Sequence, residues 1–193
     1  ASTIPSRLLA RLVAACKHDQ AMRIEMVERR PSELSGLLER GRDDMVLGPV
    51  QKNDDQTIAL FDEPYLLAMS SDHPLVAYRQ IAVEHLADEP MLVRRQCEVL
   101  PLVSQFFTAR GVRPFMAARS ANDDRIAALV RAGLGLTVMP ACFCEPGMEM
   151  RPLVGFSLTR TIGLTLEPGK HGRVSYSPII ERIATALRDP NGA

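Results

Sequence analysis

Cys97, preceded closely by two arginines, is the residue of this sequence for which a reactive side chain is most strongly indicated. Arg94 and Arg95 precede the cysteine closely, and a predicted helix with its apolar stripe begins near Val99. A helix N-terminus and nearby cations stabilise a thiolate and therefore lower the pKa of a cysteine. Such a thiolate reacts with peroxide. The alternative is a small residue in or beneath a pocket wall, which we favour because no resolving cysteine lies nearby in the sequence.

Polar residues also collect where predicted strands end and predicted helices begin. In open α/β sheets, ligands bind beyond the carboxyl ends of the strands, where helix N-termini present N–H groups and a partial positive charge. The first half of the chain contributes Ser2, Thr3, Arg30, Pro31, Ser32, Gly48 and Pro49, and the second half contributes Arg94, Arg95, Gln96, Cys97, Ser120 and Asn122. This set is rich in donors and holds no carboxylate, so we expect a small anion or polar metabolite between two lobes.

Each of these residues has a plainer interpretation. A serine before a helix is more often a cap than a ligand-binding group. Arg94 and Arg95 are adjacent in an extended segment, which allows them to point in opposite directions, one of them merely solvated. Asp123 and Asp124 fall in the first turn of a predicted helix, where their charge complements the helix dipole.

Patterns typical of catalysis or metal binding are missing from the sequence. There is no GxSxG, HExxH or phosphate-binding loop. The four cysteines lack zinc-type spacing, and the four histidines are scattered. Adjacent carboxylates such as Asp43 and Asp44 diverge on a helix and would not share a proton. The sequence therefore predicts no enzyme, no metal and no cofactor.

Two stretches of the chain show the same order of predicted elements: helix, strand, capped helix, glycine, strand, proline. The first has a helix over 6–17, a strand over 22–27, a helix from 31–32 to Gly41, and a strand over 45–47 stopped by Gly48 and Pro49. The second has a strand at 91–93, a helix over 99–107 closed by Gly111, a strand over 115–118, a helix capped by Ser120 or Asn122 and ended by Gly133, and a strand over 136–139. The first stretch lacks the strand that opens the second, and the chain begins with Ala1 rather than Met, so we expect a missing N-terminal segment.

Alternating strands and helices imply parallel sheets covered by helices. The repeated order predicts an α/β fold of two Rossmann-like lobes with a central cleft. We assign lobe I to residues 1–70 and 165–193 and lobe II to 71–164, with crossover strands near 70–74 and 160–166. Further strands are predicted at 58–61, 65–69 and 162–166, and a final helix from Ser177 should pack on lobe I.

Composition excludes several classes of protein. The chain has 193 residues and a formal net charge of +0, whereas a domain that grips nucleic acid alone should be strongly basic. No apolar run reaches the roughly 20 residues of a membrane span, and no signal peptide is visible. We therefore expect a cytoplasmic protein with reduced thiols and no membrane partner.

Four segments, taken in order, resemble the effector-binding domain of LysR-type transcription regulators. They are residues 38–45 (LERGRDDM), 63–67 with 71–75 (EPYLL and SDHPL), 86–91 (LADEPM) and 130–140 (VRAGLGLTVMP). Each segment is a weak signal alone, but their order and spacing together are strong. The resemblance implies a fold like that of the type II periplasmic binding proteins.

The resemblance also implies a function and partners. In the family a small effector lies between the lobes, and the domains form dimers and tetramers. DNA is bound by an N-terminal winged helix-turn-helix, which we expect to be missing here. Ser2 and Thr3, Pro31 and Ser32, and Arg94 to Cys97 match the family's ligand-binding loops. Cys97 resembles the reactive cysteine of the family's peroxide sensor, but the position of that sensor's partner cysteine falls near Phe106.

Other functions stay open at this point. A solute-binding protein of a transporter would share the fold but should carry an export signal. A thiol-based peroxide sensor acting through Cys97 is a lesser alternative. An enzyme on the same scaffold, such as a deaminase-like or prephenate dehydratase-like protein, would need convergent acid and base groups in the cleft, and the sequence does not supply them.

Overall fold

A computed structural model describes residues 3–17, 24–29, 44–52, 56–166 and 177–188. The chain divides into two compact units. Unit 1 comprises Ala1–Asp62 and Arg160–Ala193, and unit 2 comprises Glu63–Thr159. The chain first passes from unit 1 to unit 2 between Asp62 and Glu63, earlier than the crossover expected near 70–74. That interpretation divided residues 57–70 into two strands, whereas they form one continuous strand that begins in unit 1 and ends in unit 2.

The described elements follow one another in this order. The helices are α1 (Ser6–Cys16), α2 (Leu100–Ala109), α3 (Asp123–Arg131) and α4 (Ser177–Leu187). The strands are β1 (Met45–Pro49), β2 (Thr57–Ser70), β3 (Met91–Arg94), β4 (Met116–Ser120), β5 (Thr137–Pro140), β6 (Met148–Arg151) and β7 (Thr159–Leu166). Short 3-10 helices occupy Pro74–Ala77, Val83–Leu86 and Ala141–Phe143.

Unit 1 is built on β7, which has β1 on one side and the first part of β2 on the other. β1 runs antiparallel to β7, with Met45 opposite Leu166 and Pro49 opposite Ile162. Gly163 permits the close approach of β2, because a Cβ at this position would lie 2.6 Å from the carbonyl oxygen of Ile58. As predicted, the last helix belongs to this unit, where α4 packs against α1.

Unit 2 contains the parallel pair that the sequence predicts. β3 and β4 run parallel, with Arg94 opposite Ser120 at their carboxyl ends. β2 pairs with β5 and β6, and both of these pairs are antiparallel. Those antiparallel pairs, like that of β1 with β7, depart from the expected parallel sheets. The expectation rested on helical crossovers, but β5 and β6 are separated only by a 3-10 helix and a turn.

The helix α2 contributes aromatic side chains to the core of unit 2. Phe106 and Phe107 on α2 are buried, and Phe106 packs edge-on against Phe156 with ring centroids 5.0 Å apart. Gly111 and Gly133, predicted to close α2 and α3, have φ values of 70° and 76°. These lie in the left-handed region, where glycine is favoured because it has no Cβ to clash.

Two predictions about local structure are wrong or incomplete. Residues 24–29 form no strand, and their side chains are exposed. Gly48 and Pro49 do not stop β1 but are part of it. Pro49 is tolerated there because β1 lies at the end of the strand order, where a missing N–H costs no ladder bond. The predicted helix from 31–32 to Gly41 lies outside the described residues.

Candidate functional site

The N-terminus of α1 in unit 1 receives no capping hydrogen bond from the side chain of its N-cap residue. The N-cap residue is Pro5, with extended backbone at φ −65° and ψ 142°, and a proline side chain has no oxygen to accept from the helix N–H groups. The first turn of α1 holds no acidic residue. The partial positive charge of this helix end is therefore not balanced from within the first turn.

Thr3 lies directly before this helix end and is fully buried. Within the described part of the chain, its Oγ1 has no hydrogen-bond partner, although its atoms are out of contact with solvent. Burying a hydroxyl without a partner is unfavourable, so such a group is expected to serve a purpose. Arg160, itself buried, donates from Nη2 to the carbonyl oxygen of Thr3 at 2.9 Å and brings a cation to the same segment.

The other predicted residues of unit 1 are placed differently or not described. Gly48 is buried within β1 opposite Gly163, and Pro49 is exposed at the end of that strand. Ser2, Arg30, Pro31 and Ser32 lie outside the described residues. Their assignment to an effector site stays a prediction.

In unit 2, Arg94 is held by internal partners. Its side chain is 2% exposed, and Nη2 donates to Oδ2 of Asp123 at 2.5 Å. Nη1 donates to the carbonyl oxygen of Val138 at 3.2 Å and to Sγ of Cys97 at 3.4 Å. The guanidinium therefore joins the end of β3 to the start of α3 and to β5. Asp123, expected only to complement the dipole of α3, is the carboxylate that neutralises Arg94.

Cys97 is buried beside this ion pair. Burial raises the pKa of its thiol above the usual value, and the nearby Arg94 guanidinium opposes that shift without cancelling it. This direction is opposite to the lowering of the pKa that a reactive thiolate requires, because that hypothesis counted the arginines and the helix end but not the loss of solvent around the sulfur. The position of Cys97 agrees instead with the alternative of a residue in a pocket wall.

Two of the remaining predicted residues of unit 2, Ser120 and Asn122, bond to backbone groups at the N-terminus of α3. Asn122 is the N-cap, and its Oδ1 accepts from the backbone N–H of Arg125 at 2.8 Å. Ser120 Oγ accepts from the N–H of Asn122 at 3.0 Å, so both candidate caps are engaged with backbone. Arg95 is exposed and Gln96 is half-buried. The side-chain oxygens of Ser120 and Asn122 therefore already accept hydrogen bonds from backbone N–H groups at the start of α3.

Sequence reasoning missed two residues of these sites. Arg160 gave no signal, because an arginine in a strand is usually solvated and its contact with Thr3 spans almost the whole chain. Asp123 gave a weak signal. It follows β4, which runs parallel to β3, the strand that ends in Arg94. No group of three or more His, Cys, Asp or Glu suited to a metal ion occurs among the described residues.

Comparison with known proteins decides the family. The family model described as "LysR substrate binding domain" matches residues 1–188. The chain belongs to the LysR substrate-binding-domain family. This LysR domain is accordingly a substrate-binding domain rather than an enzyme.

The individual relatives agree with this assignment. The DNA-binding transcriptional dual regulator OxyR of Escherichia coli K12 is 29% identical over 180 residues, covering 88% of this chain and 59% of the relative. The chain therefore spans less than two thirds of that regulator's length. No described helix is long and apolar enough to cross a membrane.

Solved structures establish the fold of the LysR domain. The regulatory domain of MetR from Neisseria meningitidis matches with a TM-score of 0.70 and 15% identity, covering 95% of this chain and 90% of that one. The CcmR regulatory domain of Synechocystis, solved in complex with 2-PG, matches with a TM-score of 0.70 and 14% identity, covering 95% and 91%. At such identities the likeness concerns the fold alone, which is the expected periplasmic-binding-protein type II-like α/β fold.

Proposed function

We propose that this LysR domain senses a small anionic effector that binds at the N-terminus of α1 and accepts a hydrogen bond from Oγ1 of Thr3. The buried hydroxyl of Thr3 carries this proposal, because it is a donor that no described group of the protein uses. The family assignment supports it independently, since such domains bind ligands.

The electrostatics of α1 favour an anion over a neutral or cationic ligand. The helix end presents a partial positive charge, its first turn contains no acid, and the Arg160 guanidinium lies against Thr3. A helix N-terminus with such surroundings is a ready site for a phosphate or carboxylate group. The predicted residues of unit 2 are weaker candidates for the effector site. Arg94 already has a carboxylate partner, and Asn122 already accepts a hydrogen bond from a backbone N–H.

The effector would act by favouring one arrangement of the regulator over another. A ligand shifts a conformational equilibrium only by its difference in affinity for the two states. A coupling free energy of about 1–3 kcal/mol, within reach of a few hydrogen bonds, changes DNA affinity roughly 5–150-fold. In the whole cytoplasmic regulator, which we expect to be a dimer or tetramer, a winged helix-turn-helix outside these residues would read this change.

Screening anions against the wild-type domain, and then against one pair of variants, tests the proposal. Inorganic phosphate, sulfate, small carboxylates, aromatic acids and 2-PG are added to the domain, and thermal unfolding is followed. A true effector at about 100 times its Kd should raise Tm by about 5–10 °C. Thr3→Val, which keeps the shape and removes the donor, should lose most of this shift. Thr165→Val, the same exchange in β7, should keep it.

Two results would contradict the proposal. If no anion of the panel shifts Tm at saturating concentration, the domain does not sense this class of effector. If an anion stabilises the wild-type protein and the Thr3→Val variant equally, the N-terminus of α1 is not where it binds.

A peroxide-sensing function through Cys97 is a second candidate, supported by the relationship to OxyR and by the hydrogen bond from Arg94 to the sulfur. Burial weakens it, because the raised pKa leaves little thiolate at neutral pH. Phe106, near the position expected for a partner cysteine, is packed in the aromatic core. The anion-sensing function is therefore the better supported of the two.

A further inference from the structure

A cavity of about 370 Å³ lies within unit 2, between α2 and the strands β3, β4 and β5. Its walls are mostly apolar and include Leu92, Phe107, Val112 and Val138. Cys97 contributes its buried thiol to the same lining. All of these residues belong to unit 2, so the cavity shares no residue with the N-terminus of α1.

The size and lining of this cavity match those of small-molecule sites. Pockets for organic ligands run from about 300 to 1,000 Å³ and combine apolar walls with a few polar groups. A cavity of about 150 Å³ already admits benzene. The space in unit 2 is more than twice as large in volume, which is the reason for choosing a probe of two fused rings.

The charged residues of the lining favour a ligand whose polar end is negatively charged. The lining contains two arginines and no carboxylate. Arg94 is neutralised by Asp123. Arg113 lies on the exposed side of the lining and makes no hydrogen bond or ion pair with any residue of the described ranges. A ligand with one negative charge at Arg113 and an apolar body against Phe107 and Val138 would satisfy both parts of the site.

We propose that the cavity beneath α2 is a second ligand site, which binds a small apolar monocarboxylic acid with its carboxylate at Arg113. The site is independent of the anion site at Thr3. Its ligand differs in kind, because most of the molecule would be removed from water by apolar walls rather than held by a helix end.

1-Naphthoate is the probe that tests the proposal, with affinity measured by calorimetry on the whole domain. Ser104 and Gln105 are neighbours on α2 and both are exposed, but only Ser104 lines the cavity. Ser104→Trp should block entry and lower the affinity at least tenfold, whereas Gln105→Trp should leave it unchanged. Equal binding by the two variants, or no binding by the wild-type domain at millimolar probe, would overturn the proposal.

The role of Arg113 is tested by removing its charge. Arg113→Met should weaken 1-naphthoate binding about two- to fivefold, the range expected of an exposed ion pair. The same variant should bind the uncharged 1-methylnaphthalene as well as the wild type does. Arg119→Met removes an exposed arginine outside the lining and should change neither affinity. An equal loss in the two arginine variants would show that general charge, not Arg113, attracts the carboxylate.

Cys97 reports occupancy without any mutation. Saturating 1-naphthoate should slow alkylation of Cys97, followed by peptide mass spectrometry, while exposed Cys144 serves as the internal reference because it does not line the cavity. Alkylation of Cys97 at an unchanged rate would place the probe elsewhere. Thr3→Val should retain this protection, so failure of the α1 site and failure of this site give different results.

Discussion

The N-termini of α1 and α3 are the same structural feature with opposite surroundings. Asn122 caps α3, its first turn carries Asp123 and Asp124, and Asp123 is bonded to buried Arg94. At α1 the N-cap is Pro5 and the first turn has no acidic residue. The buried hydroxyl of Thr3, next to this helix end, has no hydrogen-bond partner among the described residues. A helix end attracts one negative group, and α3 obtains it from its own chain.

A set of hydrogen-bond donors before helices is therefore not by itself a ligand site. Around α3, the polar residues predicted from the sequence already bond within the protein: Asn122 caps the helix, and Arg94 pairs with Asp123. These contacts stabilise the fold. Among the described residues, α1 has neither a side-chain cap nor an acidic residue in its first turn, and such a helix end is suited to binding an external anion.

The largest effect is expected at the ion pair of α3. Asp123→Asn leaves the Arg94 guanidinium buried without its counter-charge and should lower the free energy of unfolding by about 3–5 kcal/mol, measured by urea denaturation. Arg94→Met combined with Asp123→Leu removes both charges and should recover most of this loss. A small effect of the single change would mean that the pair does not organise the start of α3.

Thr3→Val should have the opposite sign in the absence of ligand. Removing a buried hydroxyl that lacks a partner should raise the free energy of unfolding by about 1–3 kcal/mol. Thr137→Val is the matched control, because the Thr137 hydroxyl is also buried but donates to the carbonyl oxygen of Leu92 at 2.8 Å. That change should lower stability. If both substitutions destabilise alike, the Thr3 hydroxyl is satisfied in solution and the contrast between the two helix ends fails.

The cap of α3 gives a smaller effect. Asn122→Ala removes the oxygen that accepts from the Arg125 N–H and should cost about 1 kcal/mol of stability. Pro5→Ala at α1 removes no capping hydrogen bond, so no cap-related loss is expected there. Chemical denaturation of the two variants side by side makes the comparison. A loss at Pro5 as large as that at Asn122 would contradict it.

The smallest effect concerns Cys97, beside the ion pair. Its pKa is raised in the folded protein, chiefly by burial, so the unfolded chain releases this proton at lower pH than the folded one. The contribution of Cys97 is therefore constant below the ordinary thiol pKa and becomes destabilising as pH rises above it. Alkylation rates across pH should give an apparent pKa above the ordinary cysteine value. An apparent pKa below that value would favour the peroxide sensor.

The elements of unit 2 were largely predictable. The glycines at 111 and 133, the cap at Asn122 and the apolar runs of β3 and β5 are local signals, and the structure confirms the elements they predict. The alternation at 22–27 predicted a strand, but residues 24–29 pair with none of the described strands. Alternation shows that a segment can form a strand, but pairing requires a partner that the segment itself does not contain.

The family, the order of most elements and the region in which donors collect follow from residue types and short spacings along the chain. Which donors are already bonded within the protein depends instead on contacts between distant residues. Arg94 meets Asp123, and Arg160 meets Thr3, across separations of 29 and 157 residues that no local pattern records. Burial likewise decided the pKa of Cys97, because the solvation of a thiol depends on everything folded around it.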